Sequence, residues 1–234
     1  MKDVSPLLKT ENGTGWEVWV EIDGRDYQFW FFHTIDNQFA LMAGMPYDKT
    51  AKDFNWNIYG KKVDLQKQTC NSFITKYDEY RKEGRGLYIY SELMGTGKTL
   101  LACCLANEVM TRYNTRAKFI TAADYLERAR AFDDIKDYQT CALLILDDIG
   151  AQAEKTDFQK ETMFRLINDR YNNGLSTIYT SNLQFDVSSS DDRVLSRVYG
   201  RSIPVHLPEV PIRKQQADEY RKKFLQRLGV KHEV

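Results

Sequence analysis

The sequence has no hydrophobic run long enough to cross a bilayer, and it is poor in cysteine, histidine and proline. No apolar stretch approaches the roughly 20 residues that a membrane-spanning helix needs, and residues 1–6 lack the apolar core of a signal peptide. The four cysteines form no Cys-x-x-Cys pair, and the three histidines share no ligand spacing. These features argue against a membrane protein and against a fold held by metals or disulfides. We expect a cytoplasmic protein with buried, reduced thiols.

An excess of charge of either sign is also missing. The 33 Lys and Arg residues balance 33 Asp and Glu residues, which argues against a histone-like binder held by bulk charge. The balance hides a polarity, because residues 1–60 carry five basic and nine acidic side chains, whereas residues 212–234 carry seven basic and three acidic ones. We expect this basic C-terminal segment to be a helix, which suits DNA, an acidic neighbour or a solubilising surface equally well.

The composition divides the chain into a small N-terminal region, residues 1–43, and a main region, residues 61–234, with residues 44–60 as a connection. Seven aromatic residues lie between Trp16 and Phe32, in an alternating pattern interrupted by Asp23-Gly24. This pattern predicts a β-hairpin. An isolated hairpin is marginally stable in water, so its apolar face must pack on the main region or on a partner.

Helical and strand patterns alternate from about residue 61 onwards, which predicts a parallel sheet flanked by helices. Pro204 would place the last strand at an edge or a bulge of that sheet. The helical segments are predicted at 61–83, 98–113, 122–132, 157–172 and 193–198, and the strands at 86–90, 118–121, 142–146, 176–180 and 202–207.

A phosphate-binding loop is the sharpest feature of the sequence. Gly95-Thr96-Gly97-Lys98-Thr99 follows a predicted strand and opens a predicted helix, which is the context that distinguishes a Walker A loop from a glycine-rich turn. In such loops, backbone N–H groups surround the phosphates, the lysine reaches the terminal phosphates and the threonine hydroxyl binds Mg²⁺. Glu92 replaces the first glycine of the usual pattern, so its carboxylate must point away from the phosphates.

Two acidic residues, Asp147 and Asp148, directly follow the apolar strand predicted at 142–146. Ligands of open α/β sheets lie beyond the carboxyl ends of the strands. Asp147 is therefore placed to bind Mg²⁺, and Asp148 to orient or deprotonate the attacking water. Found about fifty residues after the Walker A loop, the pair predicts a Walker B motif.

The segments GLYIYSELMGTGKTLLACCLANEV, FITAADYLERARA and LLILDDIGAQAEKTDFQKETMFRLINDRYNNGLSTIYTSNL resemble the AAA+ ATPases of the DnaC/DnaI helicase-loader and IstB group. The resemblance covers roughly residues 60–225. It implies an α/β P-loop NTPase fold with a parallel sheet flanked by helices, a small N-terminal hairpin appendage and little or no separate lid domain.

The resemblance also implies roles for individual residues. ATP would be bound by the loop, that is by Gly95, Thr96, Gly97, Lys98, Thr99 and Leu100, and Mg²⁺ by Thr99 and Asp147.

Further polar residues resemble other functional positions of the group. Asn182 resembles the sensor-1 residue that positions water beside Asp148, and Arg197 resembles an arginine finger that acts on a neighbouring subunit's site. Arg213 resembles sensor 2, although a solvated basic face explains it nearly as well. Arg193, close to Arg197, is better explained by a surface salt bridge.

The function that the resemblance implies is loading of a replicative DNA helicase, with ATP-driven homo-oligomerisation, contact with single-stranded DNA and partner release. Asp148 stands where many AAA+ proteins carry a glutamate, and this shorter side chain implies slow ATP hydrolysis, which oligomerisation or DNA would stimulate. Two alternatives remain: a transposition helper of the IstB kind that binds duplex DNA, and a nucleotide-gated binding module without turnover. Arg128 and Arg130 are candidates for the DNA contact, against a solvated helix face.

Overall fold

The computed structural model describes residues 8–10, 13–22, 25–32, 43–60, 62–150, 156–185 and 193–228. Their strands form a three-stranded sheet from the N-terminal region and a five-stranded sheet from the main region. The first consists of β1 (Leu8–Thr10), β2 (Gly13–Ile22) and β3 (Arg25–Phe32).

Strands β2 and β3 pair antiparallel, from Gly15 opposite Phe32 to Ile22 opposite Arg25, and this confirms the predicted hairpin. Strand β1 adds a third strand beside β2. It was not predicted because three residues are too few to establish an alternating pattern. The Asp23-Gly24 turn and the packing predicted for the aromatic side chains lie outside the described residues.

The five-stranded sheet is parallel throughout and has the order β5-β6-β7-β4-β8, as the alternation of helices and strands predicts. Pro204 lies in the edge strand β8, where its missing N–H costs no ladder hydrogen bond. The strands are β4 (Gly86–Tyr90), β5 (Ala117–Thr121), β6 (Leu143–Ile149), β7 (Ser176–Ser181) and β8 (Ser202–His206).

The described helices agree with the predicted ones except in four places. The helix predicted over 61–83 is interrupted at Lys76, and the one predicted over 122–132 ends at Arg130 because Phe132 has a φ of 59°. The helix predicted over 193–198 continues to Arg201, and a short helix at Lys136–Thr140 was not predicted. None of these helices is long and apolar enough to span a membrane. They are α1 (Asp64–Thr75), α2 (Tyr77–Lys82), α3 (Lys98–Tyr113), α4 (Ala122–Arg130), α5 (Lys136–Thr140), α6 (Asp157–Asn172), α7 (Arg193–Arg201) and α8 (Ile212–Arg227).

The sheet separates two apolar cores, because successive residues of a strand face opposite sides. Leu87 and Ile89 of β4 pack in the core that includes residues of α1 and α3, whereas Tyr88 packs in the core that includes residues of α6 and α7. Phe54 and Tyr59 are buried in the first core. The segment predicted as a connection therefore packs against the main region.

The cysteines behave as the sequence predicts. Cys70, Cys103, Cys104 and Cys141 are free and buried. Burial raises the pKa of both Cys70 and Cys104 to about 12, so these thiols stay protonated and unreactive at neutral pH.

Candidate nucleotide-binding site

The loop between β4 and α3 adopts a backbone that its glycines make possible. Gly95 and Gly97 have φ values of 75° and 94°, in the left-handed region that other residues avoid. A Cβ at Gly97 would come within 3.3 Å of the Tyr59 hydroxyl, and one at Gly95 within 3.1 Å of the Arg213 Cβ. The loop is therefore closely covered by residues from outside the Walker A motif.

Lys98 is the buried cation of the loop. Its ammonium donates hydrogen bonds to the carbonyl oxygens of Ser91 (3.2 Å) and Leu93 (3.0 Å). Burial lowers the pKa of Lys98, and the carboxylates of Asp148, Glu209 and Asp147 oppose that shift. Because the partners of the cation are neutral carbonyls, phosphate oxygens would replace them favourably.

Glu92 is exposed and accepts a hydrogen bond from Gln184 Nε2, as expected for a carboxylate that points outwards. The start of the loop is held by Glu209 instead. The Glu209 carboxylate accepts hydrogen bonds from the N–H groups of Glu92 (2.9 Å) and Leu93 (2.5 Å). The Ser91 carbonyl that binds Lys98 and the Glu92 N–H that binds Glu209 belong to one peptide group. The peptide group therefore lies between the Lys98 ammonium and the Glu209 carboxylate. The contact with Glu209 was not predicted from the sequence.

Burial would raise the pKa of Glu209, but the hydrogen bonds from the N–H groups of Leu93 and Glu92 and the contact with His206 outweigh it and lower the pKa below its ordinary value. A carboxylate whose pKa is lowered in the folded state stabilises that state above its unfolded pKa and loses the effect as pH falls through the folded value. Glu209 is therefore ionised at neutral pH and holds the loop there.

Replacing Glu209 with glutamine is expected to weaken ATP binding. The amide keeps the shape but loses the charge and one acceptor, so the start of the loop is less well ordered. We expect the ATP dissociation constant to rise ~3- to 10-fold, the cost of about one hydrogen bond, as measured by isothermal titration calorimetry. Glu219→Gln, on exposed α8, is the matched control. Unchanged or tighter binding in Glu209→Gln would show that Glu209 does not order the loop.

Asp147 connects the loop to the neighbouring strands. Its carboxylate accepts hydrogen bonds from the hydroxyls of Thr99 (3.1 Å) and Thr180 (2.6 Å). Burial raises the pKa of Asp147, and these two hydrogen bonds counteract the rise. A carboxylate and a hydroxyl in direct contact at the phosphate loop match the oxygen ligands that Mg²⁺ takes alongside nucleotide phosphates. The residues therefore fit the predicted metal, and no group of three or more His, Cys, Asp or Glu in the described ranges offers a competing site.

Asp148 faces the opposite way, towards solvent. The register between β6 and β7 shifts between Leu146 and Ile149, and Asp148 has a φ of 58°. The Asp148 N–H donates to the Thr180 hydroxyl (2.8 Å), and Asn182 Nδ2 donates to its carboxylate (3.3 Å). Asp tolerates this left-handed conformation better than most residues. The backbone thus leaves Asp148 exposed beside Asn182, as the Walker B and sensor-1 interpretations require.

A pocket of about 260 Å³ adjoins the loop. The loop residues from Gly95 to Leu100 form one wall, and Arg213 lines another, with its own N–H donating to the Gly95 carbonyl (3.0 Å). The remaining wall was not predicted, because residues 47–58 have no helical or strand periodicity. It consists of Tyr47, Asp53, Phe54, Asn55 and Ile58, with Ile212 and Gln216 of α8.

Arg197 is not among the residues that line this pocket. It lies on α7, where its guanidinium stacks 4.7 Å from the centre of the Phe164 ring and donates to Asn168 Oδ1 (2.7 Å). Arg193 stacks on the same ring at 4.8 Å. The surface salt bridge expected for Arg193 stays a prediction. The structure thus brings together every predicted site residue except Arg197, which contacts α6.

A sequence profile of the IstB-like ATP binding protein family matches residues 36–223, most of the chain. The chain belongs to this family. The IstB-like match spans the pocket-lining segment at 47–58 as well as both Walker motifs, so the wall that was predicted only as a connection lies within the family domain.

Relatives of this IstB-like chain include replication proteins. It is 27% identical to the replicative helicase loader DnaI of Bacillus subtilis over 125 residues, which are 51% of this chain and 40% of DnaI, so it spans well under half of that relative. Its fold matches a crystal structure of the DnaC helicase loader, with a TM-score of 0.53, 24% identity and coverage of 65% of this chain and 99% of the other. It also matches the replication initiator DnaA bound to AMPPCP and single-stranded DNA, with a TM-score of 0.54, 21% identity and coverage of 76% and 56%.

Proposed function

We propose that the protein binds ATP with Mg²⁺ in the loop pocket and hydrolyses it. The observation that carries this proposal is the Thr99–Asp147–Thr180 hydrogen-bond chain, which joins the phosphate loop to the end of β6 with Asp148 and Asn182 beside it. The base and ribose are assigned to the wall at Phe54, Ile58 and Ile212, because apolar side chains with a few polar neighbours are typical of such sites.

Each residue has a distinct role in this proposal. Lys98 would exchange its carbonyl partners for the β- and γ-phosphates, and Thr99 and Asp147 would hold Mg²⁺, which neutralises phosphate charge. Asp148 is the acceptor for the proton of the attacking water, and Asn182 holds its carboxylate in place. Arg213, on the wall of the pocket formed by α8, would contact the γ-phosphate.

Asp148→Asn is expected to lower the rate of ATP hydrolysis ~10²- to 10⁴-fold, the usual contribution of a general base. ATP affinity should change little, because Asp148 lies outside the loop. Phosphate release and equilibrium binding, measured on the same preparations, check this result, and Asp64→Asn in the exposed first turn of α1 is the control. Binding without hydrolysis in both the wild type and Asp148→Asn would instead identify a nucleotide-gated binding module.

The biological role that we propose is loading of a replicative DNA helicase. ATP would order a homo-oligomer on single-stranded DNA, with Arg197 acting on a neighbouring site, and slow hydrolysis would release the partner. Support comes from the relationship to DnaI and from the fold shared with the DnaC helicase loader. The family match also favours a second candidate, a transposition helper that binds duplex DNA.

Two measurements distinguish these roles. One is a pull-down with a replicative helicase, and the other is binding to single-stranded and duplex DNA of equal length. Retention of the helicase in the presence of ATP supports the loader. ATP-dependent filaments on duplex DNA, without helicase contact, would show that the transposition role is the right one.

A further inference from the structure

Helix α8 is attached to the rest of the described chain by its first turn. Ile212 is its one buried residue. Beyond that turn, Tyr220 is 72% exposed and Phe224 41% exposed. Large aromatic side chains left in water on a charged helix are costly unless a partner covers them.

One side of this helix combines aromatic and basic residues. Tyr220, Lys223, Phe224 and Arg227 follow the i, i+3, i+4, i+7 spacing that places residues on a common side of a helix; we call them the α8 face. The Tyr220 and Phe224 rings are nearly parallel, at 10°, with their centres 6.5 Å apart. The Arg227 guanidinium lies over the Phe224 ring, 5.3 Å from its centre. The face therefore presents two parallel rings with a guanidinium over one of them and a second basic residue on the same side of the helix.

The charge of α8 favours a polyanion. Residues 212–228 contain six Lys and Arg against two Asp and Glu, a net charge of +4. The other candidate basic surface, on α4, has no such excess. Arg128 shares its groove with Asp124, Glu127 and Asp133, and Arg130 stacks on Phe158. A polyanion would meet carboxylates there.

A protein groove fits the α8 face poorly. An amphipathic helix that docks in an apolar groove keeps its charges on the opposite side. Here Lys223 and Arg227 share the side of the rings, so such a groove would have to desolvate both cations. Nucleic acid instead supplies phosphates for the cations and bases for the rings. Only unpaired bases can leave their own stack to cover a ring.

We propose that the α8 face is a binding site for single-stranded nucleic acid, in which bases stack on Tyr220 and Phe224 while Lys223 and Arg227 contact phosphates. This inference rests on the nucleic-acid role in the proposed function. Gln216 and Arg213, which line the nucleotide pocket, lie on the same side of α8, one and two turns before Tyr220 respectively. Helix α8 thus borders the nucleotide pocket and also carries the proposed nucleic-acid site.

The test is fluorescence anisotropy of a labelled ~20-nucleotide dT strand with the full chain, with rU and duplex DNA of equal length as further arms. The Tyr220→Ala/Phe224→Ala double variant should bind the dT strand ~10- to 100-fold more weakly, given the usual contribution of base–aromatic stacking. Phe132→Ala, which removes an exposed ring elsewhere, is the matched control and should bind like the wild type. If the double variant loses affinity equally for the dT and rU strands, the site binds single strands in general. A larger loss of affinity for the dT strand assigns the site to DNA.

The basic residues have a separate readout. Lys223→Gln/Arg227→Gln should reduce the slope of log affinity against log salt by about 1.4, near 0.7 for each phosphate contact to a single strand. Circular dichroism and ATP binding of all variants show whether the fold and the pocket persist. An unchanged dT affinity in the aromatic variant would overturn the proposal. So would a wild type that binds no single strand, or one that binds duplex as tightly through the same residues.

Two outcomes separate this site from the proposed function. Loss of helicase capture with intact dT binding would contradict the loader role and leave the α8 face in place. If the aromatic variant alters the sedimentation of the free protein and not its dT affinity, the face is a self-association surface and the inference is wrong.

Discussion

Lys98→Ala is expected to abolish measurable ATP binding. Lys98 supplies the cation at the centre of the loop, and its removal leaves the phosphates with neutral N–H groups, the Mg²⁺ ligands and Arg213 at the edge of the pocket. The loss of two charge-assisted hydrogen bonds corresponds to a roughly 100-fold or greater increase in the dissociation constant. Isothermal titration calorimetry with ATP and Mg²⁺ measures it directly. The upward shift of melting temperature caused by ATP should disappear in parallel.

Loss of folding must be distinguished from loss of the cation. Lys98 is buried and binds the Ser91 and Leu93 carbonyls, so alanine there also removes two internal hydrogen bonds. The melting temperature without nucleotide isolates that cost. Lys67→Ala, on the exposed side of α1, controls for the loss of a lysine. ATP affinity within threefold of the wild type in Lys98→Ala would contradict the Walker A interpretation.

The phosphate-loop side of the candidate site was predictable because its residues follow strands. A strand, the Gly95–Thr99 loop and a helix occur in sequence, and Asp147-Asp148 ends a buried strand, so parallel pairing alone brings them to one edge. What the pattern does not contain is the register shift before Ile149, which turns Asp148 outwards while Asp147 stays buried. Such a shift depends on pairing with β7.

The remaining parts of the site depend on contacts between distant residues. Phe54 and Ile58 belong to a segment without periodicity, and they reach the pocket because Phe54 packs in the core beneath α3. Glu209 holds residues more than 110 positions away, through N–H groups that every residue has. No residue type in the sequence marks that contact, so only the folded chain reveals it.

Arg197→Ala is expected to preserve ATP binding and to lower oligomer-dependent hydrolysis about 10³-fold or more, the usual effect of an arginine finger. Arg197 does not line its own pocket, so binding by a single subunit should not depend on it. Its hydrogen bond to Asn168 and its stacking on Phe164 hold the guanidinium in one orientation. That order suits a group offered to a neighbouring subunit. The measurement is the rate of phosphate release as a function of protein concentration.

Arg193→Ala is the matched control, because Arg193 stacks on the same Phe164 ring as Arg197. If the loss of activity came from disturbed packing of α7 on α6, both variants would lose it. A specific role for Arg197 requires that Arg193→Ala stays close to the wild type.

Mixing two inactive variants tests whether Arg197 acts on a neighbour. Lys98→Ala subunits cannot bind ATP but carry an intact Arg197, whereas Arg197→Ala subunits have an intact pocket. In a mixed oligomer, Arg197 of a Lys98→Ala subunit would face the ATP bound by an Arg197→Ala subunit. ATP hydrolysis should therefore return in the mixture, although neither variant hydrolyses ATP alone. If the mixture stays inactive while mixed oligomers form, or if Arg197→Ala loses ATP binding as fully as Lys98→Ala, Arg197 serves its own subunit and the trans role is wrong.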